Sequence, residues 1–150
     1  MTLDEQIKEW EPTVPSHITD DVLWRSAAYR LATFAADWIW QDVTKLAADL
    51  RIAKVAEQLY NAVCDIGATF SEGYSRGSGR DRCRFYEYAL GSARESRDWT
   101  YKARVVIGPE RTELFLGLLT RIVQLLTVII GRERHRDLRG RKGQLSHADA

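Results

Sequence analysis

Two groups of cations stand out in this sequence: Arg76, Arg80, Arg82 and Arg84, and then Arg132, Arg134, Arg136, Arg139, Arg141 and Lys142. Guanidinium groups clustered in this way suit the phosphate backbone of a nucleic acid, a contact whose affinity falls as salt rises. The alternative is internal neutralisation, with Arg76 and Arg80 paired to Glu72 or Asp81 and Arg82 and Arg84 left solvated. Glu72 and Glu95 are the obvious candidates for paired carboxylates. Across one straight helical hairpin they would stand roughly 24 Å apart along the axis. Glycosidase-type chemistry needs carboxylates closer than about 10 Å, so the spacing excludes them as a catalytic pair within one chain.

The remaining reactive side chains supply no active site. His17, His135 and His147 all fall outside the expected helical core, which removes histidine triads and the Glu-x-x-His pairs of di-iron bundles. Cys64 and Cys83 are isolated and lack zinc-ligand spacing. They are expected as buried free thiols, which suits a reducing compartment. Gly73, Gly77 and Gly79 make a glycine-rich loop before a helix start, but the Lys-Ser/Thr of a P-loop is absent. Turn and cap requirements account for these glycines. Tyr86, Tyr88, Trp99 and Tyr101 offer faces on which bases could stack, although at helical spacing such residues belong to a core or an interface. The sequence therefore predicts a protein that is not an enzyme and needs neither metal nor cofactor.

The elements that must position these residues are helical. Apolar residues at helical spacing predict a first helix from Asp20 or Asp21 to about Asp42 and a second from about Thr44 to Glu72. In the second, Ile52, Ala56, Leu59, Val63, Ile66 and Phe70 alternate by four and three, the seam of an antiparallel bundle. Gly73 is expected at the left-handed position that ends this helix. Ser78 followed by Asp81 resembles a capping box and starts a third helix, running to about Ile107. Its expected inner stripe is Phe85, Tyr88 or Ala89, Ser92, Ser96, Trp99, Ala103 and Val106, with Gly91 and Ser92 allowing close helix approach. Gly108-Pro109 breaks the chain, and a fourth helix follows to about Arg134.

Residues 1–19, with Pro12 and Pro15, read as an irregular arm that Trp10 docks onto the bundle or onto a neighbour. Residues 20–134 read as the bundle, and residues 135–150 as a basic flexible tail. The fourth helix carries two apolar stripes, and Trp24, Tyr29 and Trp40 lie off the first helix's inner stripe. That surplus predicts self-association. The longest apolar stretch, Leu114 to Ile130, is interrupted by Arg121 and Gln124, so no membrane span is predicted. The acidic start shows no signal peptide, and a cytoplasmic protein is expected. A net charge of +1 gives no global attraction to nucleic acid, but an acidic N-terminal segment opposes a basic C-terminal one.

One segment carries a resemblance. The residues Thr69-Phe70-Ser71-Glu72-Gly73, then Arg76-Gly77-Ser78, Phe85 and Ala89-Leu90-Gly91-Ser92-Ala93-Arg94-Glu95 resemble the signature of the bacterial 23S rRNA intervening-sequence protein family. Thr69 and Ser71 replace that signature's asparagine and alanine, whereas Glu72, Gly73, Ser78, Gly91, Ser92 and Glu95 match it. The resemblance covers about residues 22–131. It implies an up-down-up-down four-helix bundle that assembles into a ring, typically a pentamer, with no established enzymatic activity. A related branch, the accessory variability determinant of diversity-generating retroelements, binds nucleic acid and a reverse transcriptase. The expected function is a ring-forming bundle that binds RNA or DNA weakly through Arg76, Arg80, Arg82 and Arg84. The alternative is a scaffold or accessory subunit with a protein partner and no nucleic-acid binding.

Overall fold

The structure, a computed structural model, describes the backbone of residues 1–148 and the side chains of residues 1–145. The described residues form no strand. Their helices are α1 (Leu3–Trp10), α2 (Ser16–Thr19), α3 (Ala27–Ala48), α4 (Ala53–Tyr74), α5 (Gly79–Lys102), α6 (Arg104–Ile107) and α7 (Pro109–Ala148). Short 3₁₀ turns occupy Glu11–Thr13 and Val22–Arg25.

The four long helices enclose one apolar core. α3 packs on α4, α4 on α5, α5 on α7, and α7 returns to α3. Neighbours run antiparallel. Trp40 meets Tyr60 while Tyr29 lies near Gly67, and Arg82 reaches Glu133 while Arg97 reaches Thr120. Leu31, Ile39 and Leu46 of α3 meet Leu59, Val63 and Ile66 of α4, with Phe115, Leu118, Ile122 and Leu126 of α7 closing the core. The predicted α4 seam is buried as read, apart from half-buried Ile52.

Ala89, Ser96 and Ala103 are buried as expected, but at the other positions of the expected stripe the buried residue is the next one along the chain. Tyr86, Ala89, Ala93, Ser96 and Thr100 point inward, while Tyr88 is exposed and Phe85 and Ser92 are half-buried. Tyr86 stacks on Phe70 at 4.7 Å with the rings 19° apart. Phe85 instead lies under the guanidinium groups of Arg76 and Arg84, at 4.5 and 5.3 Å.

Three boundaries move for identifiable reasons. Asp21 caps the 3₁₀ turn by accepting from the Leu23 N–H at 2.8 Å, and α3 begins only after extended Ser26. Asp42 does not end α3. It is fully buried within the helix, where Arg111 of α7 donates to both carboxylate oxygens at 2.7–3.0 Å. The same guanidinium lies 3.7 Å from the Trp38 ring, which stacks on Phe115. The chain turns instead at Asp49, whose side chain accepts from the Arg51 N–H. At the third boundary, α5 ends at Lys102 and α6 intervenes before Gly108, whose φ of +90° suits glycine.

The N-terminal arm is not irregular. Thr2 and Glu5 form a reciprocal capping box that starts α1. Trp10 docks it on the chain's own α3, where the indole donates to Asp37 at 2.7 Å and the ring meets Phe34 edge-on. Trp38 in turn donates to Gln6, and Arg121 of α7 pairs with Asp4.

The expected tail is helical too. α7 runs on through residues 135–148 instead of ending near Arg134, while the His147 side chain and residues 149–150 lie outside the described residues. By length and composition α7 could cross a membrane, with a mean hydropathy of 2.1 in its most apolar window. In this fold Phe115, Leu118, Leu119, Ile122, Val123, Leu126 and Ile130 are buried in the core. Both apolar stripes of α7 are therefore largely consumed within the chain. Trp24 is likewise covered by Trp10 and Tyr29. The excess that suggested self-association mostly serves internal packing; Trp40 remains 57% exposed against Tyr60.

Candidate nucleic-acid interface

The arginines gather at one end of the molecule, where α4 turns into α5 and α7 passes beside them. Ser78 fixes the turn, its hydroxyl accepting from the Asp81 N–H at 3.2 Å. α7 passes beside Gly79, where a Cβ would meet Asp137 and Glu133 in ordinary contact at 3.4 Å. The first turns of α5 consequently project Arg80 and Arg84 toward one side and Arg82 toward α7.

The four predicted arginines play different parts. Arg76 pairs with Glu72 at 2.9 Å, as the internal-neutralisation reading expected. Arg82 is half-buried. It pairs with Glu133 at 2.6 Å and also donates to the Arg76 carbonyl at 3.0 Å, tying the turn to α7. Arg84, and not Arg80, is the partner of Asp81, loosely at 3.9 Å. Arg80 is exposed and has no ion pair among the described residues. Arg80 and Arg84 line an open groove of about 490 Å³ with Cys83, Glu87, Arg134 and Leu138. A second hollow of about 320 Å³ lies between Arg82, Arg136 and Arg141.

The sequence reading missed Glu133 as the organiser of this end. It is 7% exposed, pairs with Arg82 across the helices, and lies 3.9 Å from Arg136 on its own helix. Beyond it, Asp137 pairs with Arg141 at 3.3 Å, and Arg134 pairs with Glu87 of α5. The signal was present in the i,i+3 and i,i+4 spacing of acid and base in this stretch, which supports a helix. Cations near a helix C-terminus add to that support by opposing the negative end of its dipole. The tail arginines are thus carried on a helix beside Arg80 and Arg84.

The signature residues divide along structural lines. Gly73 lies inside α4, not at a left-handed end, and its backbone meets α5 so closely that a Cβ would stand 2.6 Å from the Phe85 Cβ. Gly91 was expected to sit against a neighbouring helix. It is exposed, with nothing within 4 Å of where its Cβ would be. Ser92 uses its carbonyl to accept from Ser96, and Glu95 accepts from the Trp99 indole. Glu72 and Glu95 share no partner.

Cys64 and Cys83 are free thiols, Cys83 buried and Cys64 half-buried. Burial pushes both thiols above their ordinary range, away from thiolate reactivity. Burial likewise pushes Tyr86 up to about 12. The described residues bring no three His, Cys, Asp or Glu side chains into a metal-binding group. What this end offers chemically is exposed, fixed positive charge on rigid helices.

Residues 25–127 match the family model of the 23S rRNA-intervening sequence protein. The chain belongs to that family. No curated protein and no solved structure matches it. The intervening-sequence match begins in the turn before α3 and ends within α7, so it takes in all of α4 and α5 with Arg76, Arg80, Arg82 and Arg84. α1 and the arginine-rich end of α7 lie outside the matched span.

Proposed function

We propose that this intervening-sequence family member is a non-enzymatic, up-down-up-down four-helix bundle that assembles into a homopentameric ring and binds RNA or DNA weakly. The observation that carries the binding is the juxtaposition of Arg80 and Arg84 with the arginines of α7. Arg80, Arg132 and Arg139 are exposed and have no ion pair among the described residues. Arg76 and Arg82 serve the same surface indirectly, by holding the turn against α4 and α7. A ring would repeat this basic end once per subunit, which converts a weak single contact into a useful avidity. The protein acts in the cytoplasm, off the membrane and without a cofactor.

Fluorescence polarisation with single-stranded and duplex RNA and DNA across a salt series tests the reading. Affinity is expected to fall with salt, and Arg80→Glu with Arg84→Glu is expected to weaken binding to every sequence about equally. No binding at low ionic strength would refute it. That result would favour the second reading, a protein-binding scaffold, for which the exposed Leu138 and Leu145 on the α7 extension are the specific observation.

A further inference from the structure

At the basic end, the start of α3, the end of α4 and the far part of α7 enclose a small open hollow of about 200 Å³. Phe70, Tyr74 and Tyr86 supply its apolar walls, and the exposed Arg132 and Arg136 line it on the α7 side. Pockets for drug-sized molecules run from about 300 Å³ upward, so this one suits a single ring system.

The polar groups in this hollow lack partners. Tyr86 is 3% exposed with its ring stacked on Phe70, and its hydroxyl makes no hydrogen bond among the described residues. Among those residues the fully sealed, unpartnered side-chain oxygen belongs to Thr112; the Tyr86 hydroxyl is not sealed in this way and opens onto the hollow that Tyr86 lines. Ser26 caps α3 without a side-chain hydrogen bond, which leaves a second hydroxyl there. Glu133 is 7% exposed and uses Oε1 for Arg82, while its Oε2 lies 3.9 Å from Arg136, too far for a hydrogen bond. Buried polar groups are nearly always hydrogen-bonded, so three of them open to one aromatic hollow call for a partner of matching chemistry. Water can reach them, but water does not account for the rings and guanidinium groups around them.

The hollow is continuous with the arginine end. Glu133 and Arg136 also line the hollow of about 320 Å³ beside Arg82, and Asp137 lines both that one and the groove of Arg80 and Arg84. A phosphate backbone that follows these cations across α7 therefore passes the aromatic hollow. Tyr74 is the ring with an open face there: it is 39% exposed and stacks on no other ring among the described residues.

We infer that the hollow takes one unstacked base from a single strand, its face on Tyr74, its edge at the Tyr86 hydroxyl and Glu133 Oε2, and its phosphate on Arg132 and Arg136. The inference deepens the nucleic-acid reading above and rests on it. A base paired inside a duplex hides both its edge and its face, whereas a base splayed from a single strand offers both, so the site selects single strands. The tyrosine hydroxyl donates or accepts and the carboxylate only accepts, so the base edge supplies a donor N–H to Glu133.

The test measures binding at low salt by fluorescence polarisation with three probes of equal length: a single-stranded oligoadenylate, a single strand with abasic sites in place of bases, and a duplex. The wild type is expected to bind the oligoadenylate at least about fivefold more tightly than the abasic strand, the contribution of one stacked base. Tyr74→Ala should remove that preference. Tyr86→Phe keeps the ring and its stack on Phe70, and should weaken oligoadenylate binding about 2–10-fold through the lost hydrogen bond. Both variants should bind the abasic strand and the duplex as the wild type does, since every arginine is intact, and circular dichroism confirms that they fold. Equal binding of oligoadenylate and abasic strand by the wild type, or wild-type oligoadenylate binding by both variants, overturns the base site and leaves the phosphate reading standing. No binding of any probe at low ionic strength overturns that reading and this inference with it. Competition by free adenosine monophosphate at the strand's own concentration would mark a site for free nucleotides and overturn the assignment to a strand.

Discussion

Replacing Gly73 with alanine tests the packing argument directly. In an exposed helix interior, alanine is more stable than glycine by about 1 kcal/mol. Gly73 is helical, so propensity alone predicts that the variant gains stability. The tertiary structure predicts the reverse. The new Cβ would stand 2.6 Å from the Phe85 Cβ and 3.1 Å from the Tyr86 ring. A Cβ cannot rotate away, so relief requires α4 and α5 to separate, disturbing the Phe70–Tyr86 stack. Overpacking of this kind costs about 1–3 kcal/mol or more, and the backbone-fixed contact places it at the upper end. After the propensity gain, the net loss is about 2 kcal/mol. For a chain of this size that lowers Tm by about 4–8 °C. Urea unfolding followed by circular dichroism at one fixed protein concentration measures it, since assembly makes apparent stability concentration-dependent. Gly117→Ala is the comparator: it is also helical, but nothing lies within 4 Å of its Cβ position. It should gain about 0.5–1 kcal/mol. Equal or greater stability for Gly73→Ala with an unchanged urea slope would refute the close-approach reasoning.

Three further outcomes follow from the same physics. Gly108→Ala meets open space, so its whole cost is the φ of +90°; a loss of about 1–3 kcal/mol is expected in the same urea assay. The Asp42–Arg111 pair should break asymmetrically. Arg111→Met strands a fully buried carboxylate and should cost about 3–5 kcal/mol, while Asp42→Asn leaves a guanidinium that can reach water and should cost about 1–2 kcal/mol. Equal losses in urea titrations would count against that account. Tyr86 has its pKa raised from 10.0 to about 12 by burial, so the folded state holds the phenol proton longer than the unfolded state does. Its contribution is complete below pH 10 and is lost as pH rises through about 12. Unfolding of the Tyr86→Phe variant should therefore depend less on pH than the wild type across that window.

The apolar spacing of α4 was legible because its core residues alternate by four and three without interruption, and Ser78 and Pro109 marked helix starts by local chemistry alone. The α5 phase was only partly legible. Aromatic residues at 85, 86 and 88 point around most of the helix, and only packing against Phe70 decided that Tyr86 turns inward. The first helix was expected to end near Asp42, whereas the structure carries it past that residue; a buried carboxylate is costly without a partner, and this one's partner, Arg111, lies 69 residues away. The tail's arginines and glycines looked disordered because the pair that holds this end of α7 against α5, Arg82 with Glu133, joins residues 51 apart in sequence.

For the candidate interface the division is the same. The sequence by itself determined that four arginines surround one helix start, because Ser78 and the glycines near it act over a few residues. It also determined the family, through the order of local signatures. Only the tertiary structure decided which arginines are free. Arg82 is spent on Glu133, 51 residues away, while Arg80 remains exposed beside the end of α7; the Arg76–Glu72 pair, four residues apart, was already legible in the spacing. Pairing between charges far apart in sequence depends on which helices become neighbours, and that is fixed by burying the core, whereas pairs three or four residues apart follow local spacing.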